Sequence, residues 1–382
     1  YNFKIIEKHV GGGWGELRDS VMTSIPAGTP DAHIYIIQPD WVMTLFQQGL
    51  LAPLSDIPGV DFSPNNPAGF TQGIRAAYTY GGKTYAFGLP DQTLCNQGVV
   101  VFFNKRLFQE AGIDPNTPYD MQKAGTWTWD AFLDLAKRLT RDTNGDRVID
   151  VYGAGSISYA AVEAYLMSNG PNSNFVTKDA NGLYVNASGN PASIAALNAA
   201  KRLETEGVLY FGSDTMDAPK SAFGKEGKIA MFLLPDDECS GQTLQEMKDD
   251  WGMVVMPKGP NATTYGVGVG GDVGIMAKSF SAKEQEDIMF AFQLWMSTPG
   301  SADWKAPYRN VFRDSRALDE TLPIIFNGAN QNFAYVRLIP ALEQGASVAD
   351  IWGAGKNPQQ MVESVRSDWN QKIAEFNASL PR

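Results

Sequence analysis

The residues with most chemistry to offer here are carboxylates set beside aromatic rings. They fall at Trp14, at Gln38, Asp40 and Trp41, at Asp91 and Gln92, at Ser158 and Tyr159, at Asp236 and Asp237, and at Asp272, with Arg309 further on. Planar rings suit the C–H faces of a sugar, and carboxylates, amides and guanidinium groups suit its rim of hydroxyls. The chain has 9 Trp and 14 Tyr, but abundance decides little, because most aromatic side chains fill cores. Position is more telling. Trp14 stands among Gly11, Gly12, Gly13 and Gly15, where no helical core stripe can be followed. Asp40 and Trp41 follow the carboxyl end of an expected strand, the edge at which open α/β sheets bind ligands. Asp40 could equally cap the next helix. Asp236 and Asp237 are adjacent, to accept ligand hydroxyls or to face solvent.

A second kind of chemistry is suggested by Asp142-Thr-Asn-Gly-Asp-Arg-Val-Ile-Asp150. Oxygen side chains at Asp142, Asn144, Asp146 and Asp150, with the Val148 carbonyl between, match the alternate donors of a calcium loop. Arg147 stands where glycine is expected and Gly153 where a bidentate glutamate is expected. A remote carboxylate would have to complete the shell of such a structural ion; a plain Asp/Asn turn is the alternative. Other chemistries have less support. His9, His33, Cys95 and Cys239 form no CxxC or HExxH pattern, so neither a zinc site nor a thiol redox pair is expected. The two cysteines read as buried free thiols rather than a disulfide. No Ser-His-Asp arrangement is visible, and neighbouring carboxylates such as Asp236 and Asp237 tend to diverge rather than flank one glycosidic bond. A binding protein is therefore expected, not an enzyme, with no cofactor for activity.

These residues need a sizeable scaffold. At roughly 100–200 residues per domain, 382 residues imply two domains. A formal net charge of -11 repels phosphate backbones and argues against nucleic acid. No stretch reaches the roughly 18 apolar residues that cross a bilayer. The opening Tyr1-Asn-Phe-Lys-Ile-Ile-Glu7 reads as the edge of a strand, with a leader and a first strand and helix expected upstream.

Strand and helix signals alternate, which predicts an α/β class. Strands are expected at 3–7, 33–37, 98–103, 251–256 and 266–276, and a hairpin at 78–90 turning at Gly81-Gly82. Helices are expected at 15–25, 41–49, 105–111, 198–207, 242–249 and 358–376. Thr128 should cap a helix bearing Trp129, Phe132, Leu135, Ala136 and Leu139 on one face. Ser281-Ala-Lys-Glu284 is a capping box for a helix to about Met296.

Five segments, in order, resemble the family 1 extracellular solute-binding proteins of ABC importers, the group that includes maltose-binding proteins. The first is 3–54, closing on Gln47-Gln-Gly-Leu-Leu-Ala-Pro-Leu54. The second is Tyr80-Gly-Gly-Lys-Thr-Tyr-Ala-Phe-Gly-Leu-Pro90 with Val100-Val-Phe-Phe-Asn-Lys105. The third is Thr126-Trp-Thr-Trp-Asp-Ala-Phe132. The fourth is Ala222-Phe-Gly-Lys-Glu-Gly-Lys-Ile-Ala-Met231, and the fifth is 251–257 with Gly270-Gly271 and Ile275. The family's Asn-Gly-Xaa-Trp reads Leu233-Leu-Pro-Asp236 here, so the usual stacking tryptophan is replaced by acid.

The resemblance implies a type II periplasmic-binding-protein-like fold. Lobe one would be 1–90 plus 258–305 and lobe two 97–257 plus 312–382, with hinges near 89–96, 257–258 and 306–311. It implies ligand contacts near Asp40, at Asp91-Gln92 in the first hinge, at Ser158-Tyr159 and at Asp272, with Arg309 at the third hinge. It further implies a monomer acting outside the cytoplasm, periplasmic or lipid-anchored, that closes on a carbohydrate, most simply an oligosaccharide, and delivers it to an importer's membrane subunits. The acidic residues leave two alternatives: a cationic ligand such as a polyamine or peptide on the same fold, or a glycoside-acting enzyme.

Overall fold

The computed structural model describes residues 3–8, 14–63, 72–88, 98–170, 172–211, 216–296, 304–340, 342, 350–353 and 355–380. Strands are numbered β1–β13 along the chain.

The larger half is built on runs that are apolar on both faces. β4 (Val99–Asn104) reads Val-Val-Val-Phe-Phe-Asn and β9 (Ile229–Pro235) reads Ile-Ala-Met-Phe-Leu-Leu-Pro. Such runs need cover on both sides. They lie in a five-stranded sheet of order β10-β4-β9-β5-β8, with β5 at Tyr152–Gly155, β8 at Leu209–Tyr210 and β10 at Trp251–Val255. β4 is antiparallel to β9 and β10, while β5 is parallel to β8 and β9. The helix Trp129–Leu139 covers this sheet. It is capped as expected, the Thr128 hydroxyl accepting the Ala131 N–H, and it buries Trp129, Phe132, Leu133, Leu135, Ala136 and Leu139. Its backbone comes so close to β5 that a Cβ at Gly153 would lie 1.9 Å from the Ala136 carbonyl oxygen. Only glycine fits there.

The smaller half centres on β1 (Tyr35–Ile37), antiparallel to β12 (Val273–Ile275). Ala52, Leu54, Ile57, Phe62, Phe87, Met276, Met289 and Phe292 form a separate core there. The helix Ala282–Met296 starts at the expected capping box. The Ser281 N–H donates to the Glu284 carboxylate at 2.8 Å and the Glu284 N–H donates back to the Ser281 hydroxyl at 3.3 Å. The expected hairpin is β2 (Thr79–Tyr80) with β3 (Lys83–Thr84).

Two backbones touch where the halves meet. A Cβ on Gly98, just before β4, would lie 2.2 Å from the Gly268 carbonyl oxygen in β11 (Val267–Val269). β11 pairs in parallel with β13 (Gln331–Phe333). Residues 331–338 lie against the helices Gln72–Ala77 and Pro39–Gln47 on one side and against β6 (Val176–Lys178) on the other. Lys258 and Gly259 remain on the larger half, their N–H groups donating to the Trp127 and Ser168 carbonyls.

Several elements differ from expectation. Residues 3–8 are exposed and form no strand; an apolar run without a neighbouring strand has nowhere to pair. Residues 266–276 are two strands, broken at 270–272, which leaves Asp272 at the head of β12. The helix expected at 242–249 stops at Gln245, and the one expected at 198–207 begins at Pro191. Trp14 is the first residue of the helix Trp14–Ser24 rather than part of a glycine loop before it. The last helix, Pro358–Ser379, is capped by the Asn357 side chain. Among the described residues, no helix is long and apolar enough to cross a membrane. Cys239 is buried and free, whereas Cys95 lies outside the described residues.

Candidate functional site

The parallel strands β5 and β9 end at one edge of the large sheet. There the Ser156 hydroxyl donates to the Leu233 carbonyl at 3.0 Å, tying the two ends together. Past β5 comes the helix Ser158–Met167 with Ser158 and Tyr159 in its first turn; past β9 comes the turn Asp236–Ser240. This is the carboxyl edge at which open α/β sheets bind ligands.

The smaller half offers a matching edge. β1 runs out into Gln38, the N-cap of the helix Pro39–Gln47, and Asp40 lies in that helix's first turn. Gln38 therefore takes the capping position that Asp40 might have held. The β1–β12 register pairs Ile37 with Val273. Gln38 follows Ile37 and Asp272 precedes Val273, so both stand just beyond this last pair.

Arg337, in the turn Tyr335–Leu338, joins these edges. Its Nη2 and Nε both donate to one Glu163 carboxylate oxygen. Its charge also acts on Asp272, Tyr159 and Tyr78. The Asp272 carboxyl is pushed up to about 6 by burial, against the opposing pull of Arg337. Asp237 is raised as well, by burial and then by neighbouring Glu238. The Tyr78 phenol is held well above its ordinary value, first by burial and then by Tyr80 and Asp40. It is therefore a protonated donor.

The Tyr78 hydroxyl, the Ser158 hydroxyl and one Asp237 carboxylate oxygen are buried without a hydrogen-bond partner among the described residues. Buried polar atoms are nearly always paired, so orphans such as Ser158 and Asp237 past the ends of β5 and β9 suit a place where another molecule supplies the partners. A cavity lined by Tyr159, Val162, Glu163, Phe175, Ala334 and Val336 lies against the helix Ser158–Met167.

The residues singled out in the sequence fare differently. Gln38, Asp40, Ser158, Tyr159, Asp237 and Asp272 come to the two edges. Asp236 is fully buried there, its N–H donating to the Gly98 carbonyl, whereas Asp237 is half-buried. Trp41 is 5% exposed and packs in the core of its helix, not in a cleft. Arg309 is exposed after the turn Ala306–Tyr308. Asp91 and Gln92 lie outside the described residues, and of Trp14 only its place in the helix is described.

Glu163, Arg337 and Tyr78 were not singled out. For Glu163 a signal existed: it is the one charged residue in the apolar helix Ser-Tyr-Ala-Ala-Val-Glu-Ala-Tyr-Leu-Met, and a charge there needs a partner. Nor was an aromatic cluster that joins the halves. The Lys178 ammonium lies 5.3, 5.0 and 5.1 Å from the rings of Tyr80, Tyr184 and Tyr335. The Tyr80 and Tyr184 hydroxyls share a hydrogen bond of 2.6 Å.

The loop at 142–150 folds on itself. Asp142 accepts the N–H groups of Gly145 and Arg147 at 2.7 Å each, and Asp150 accepts the N–H and hydroxyl of Thr143 at 2.7 Å each. Asn144 and Asp146 accept N–H groups two residues on. Arg147 takes φ 71°, the left-handed conformation usual for glycine in calcium loops. Among the described residues, no group of three or more His, Cys, Asp or Glu side chains is placed to hold a metal.

Comparison with known proteins agrees with the fold. Residues 2–317 match the family described as bacterial extracellular solute-binding protein. No functionally curated protein matches the chain. Among solved structures, UgpB from Mycobacterium tuberculosis in complex with glycerophosphocholine is similar at a TM-score of 0.67 and 18% identity, over 96% of this chain and 89% of that one. The cyclic alpha-maltosyl-1,6-maltose binding protein from Arthrobacter globiformis reaches 0.64 at 17% identity, over 95% and 88%. The substrate-binding protein Lmo0181 from Listeria monocytogenes, in complex with cycloalternan, reaches 0.63 at 18% identity, over 93% and 88%. At such identities the likeness is one of fold.

Proposed function

Since the chain belongs to the bacterial extracellular solute-binding proteins, we propose that it captures a carbohydrate or related polyol between its halves and delivers it to an ABC importer. The observation that carries this reading is the interleaving of donors and acceptors on the facing edges. The Ser158 hydroxyl is a donor and one Asp237 carboxylate oxygen an acceptor, both buried and unpartnered among the described residues, and Asp272 adds a half-buried carboxyl. A hydroxyl can serve both kinds of partner at once. A polyamine offers donors alone and leaves a buried hydroxyl such as Ser158 without an acceptor for its proton. The ligands of the similar structures support the reading, since cycloalternan and glycerophosphocholine both present neighbouring hydroxyls. The protein acts by binding and hinge closure, outside the cytoplasm, whether periplasmic or lipid-anchored.

Isothermal titration of the purified protein with maltotriose, cycloalternan, ribitol, sn-glycero-3-phosphocholine and spermidine tests this. Saturable binding of a hydroxylated compound, recovered intact, is the expected result. Binding of spermidine alone would favour the cationic alternative, and cleavage of an oligosaccharide would favour an enzyme.

A further inference from the structure

We propose that the cavity along the helix Ser158–Met167 is a pocket for a methyl group, so that the captured solute carries a methyl beside its hydroxyls, as a 6-deoxy sugar or an O-methyl sugar does. The inference rests on the carbohydrate reading above and goes beyond it, because glucose and its simple oligomers present hydroxyls where this pocket asks for hydrocarbon.

Helical spacing builds one wall. Tyr159, Val162, Glu163 and Leu166 stand at i, i+3, i+4 and i+7 of the helix, and all four line the cavity, with Phe175 and Val336 completing it from other segments. Tyr159 is its outer residue, 45% exposed. It follows Ser158, whose buried hydroxyl has no partner among the described residues, so the cavity begins at the edge past β5. Val162, Leu166 and Phe175 are buried, and the cavity leads from that edge into hydrocarbon.

Size and polarity decide what fits. The free space, about 20 Å³ for the centre of a water-sized group, admits one small group and no sugar ring. The polar side chains on the wall are already engaged. Asn174 donates its Nδ2 to the Phe333 carbonyl at 2.9 Å, and Glu163 accepts both Arg337 bonds on Oε2. A water would need about three hydrogen bonds to settle there, and a solute hydroxyl pushed among Val162, Leu166 and Phe175 would be poorly matched. A methyl asks for none. Glu163 keeps Oε1, which accepts no hydrogen bond among the described residues, for a hydroxyl neighbouring that methyl.

Two measurements test this. In ligand-free crystals under xenon, density should appear in the wild-type pocket and not in that of Val162→Ile, whose added methyl takes the space; Val336→Ile fills it from the other wall should the first variant not fold. An empty wild-type pocket would overturn the proposal. Calorimetric titrations then compare 6-deoxy-D-glucose with D-glucose, L-rhamnose with L-mannose, and methyl α-D-glucopyranoside with D-glucose. The first two pairs report a C-methyl and the third an O-methyl. In at least one pair the methyl-bearing sugar should bind wild type about tenfold more tightly, and the filled variant should erase that margin without weakening the parent sugar. No margin in any pair, or a margin that survives filling, overturns the proposal, and the carbohydrate reading stands if maltotriose still binds. Binding of no sugar, maltotriose included, overturns both.

Discussion

Asp272 is the residue whose charge state most directly governs capture. Its carboxyl is raised by burial from the ordinary 3.8 to about 6, against the opposing pull of the Arg337 charge. Above pH 6 it is an acceptor. As pH falls through 6 the folded protein takes up a proton before the unfolded chain does, so the burial cost of the charge is relieved. Ligand-free stability should therefore gain a contribution between pH 6 and 4 while affinity falls. Titrations from pH 7.5 to 5 should show weakening affinity in wild type and a flat profile in Asp272→Asn; parallel slopes would assign the dependence elsewhere. Glu163 invites a second substitution. Glu163→Ala leaves the Arg337 guanidinium without its counter-charge. Both side chains keep about a fifth of their exposure, so the loss should be roughly 1–3 kcal/mol in urea unfolding, below that of a fully buried pair. Asp272 and Ser158 could be picked out from sequence because the family resemblance places ligand contacts at both. Arg337 and Tyr78 could not, because their meeting depends on how 331–338 settles between two distant helices.

Elements were most legible where local chemistry closes on itself. The Thr128 cap and the Ser281-Glu284 box form from a few consecutive residues, and both are present. Legibility fails where pairing depends on distant chain. Residues 3–8 have an apolar pattern and no strand, and the break at 270–272 is invisible in a run that alternates glycine with valine. That break is what brings Asp272 to the site. The packing of the Trp129–Leu139 helix on β5 allows a sharp expectation. Gly153→Ala would place a methyl 1.9 Å from a backbone carbonyl, where no rotamer change can relieve it. It should cost about 3 kcal/mol by overpacking, whereas Thr128→Ala, which removes only a cap, should cost about 1 kcal/mol. Chemical denaturation of both variants compares them, and a Gly153→Ala loss no larger than that of the cap would refute the tight contact.

At the scale of the whole molecule, the two halves are held together by contacts beyond the facing edges. Tyr80 belongs to β2 and packs on Phe46 at 4.7 Å. Tyr184 belongs to β7 (Tyr184–Asn186), which is bound to the last helix through Asn377. Their shared hydrogen bond, with the Lys178 ammonium among three tyrosine rings, spans the halves. Gln47 adds a hydrogen bond to Ser379. Burial disfavours the charged form of Lys178, and the three ring faces offset part of that cost. None of these groups belongs to the facing edges, yet each bond that forms only when the halves meet biases the chain toward closure. A solute gripped from both sides draws on the same equilibrium, and its apparent affinity scales with the fraction of molecules able to close. Tyr184→Phe removes one such bond, worth about 1 kcal/mol. It should therefore enlarge the ligand-free radius of gyration in small-angle scattering and weaken binding about fivefold. The liganded radius should match wild type. An unchanged free radius together with unchanged affinity would mean that the tyrosine pair merely decorates a joint set elsewhere, at the backbone crossing of Gly98 and Gly268.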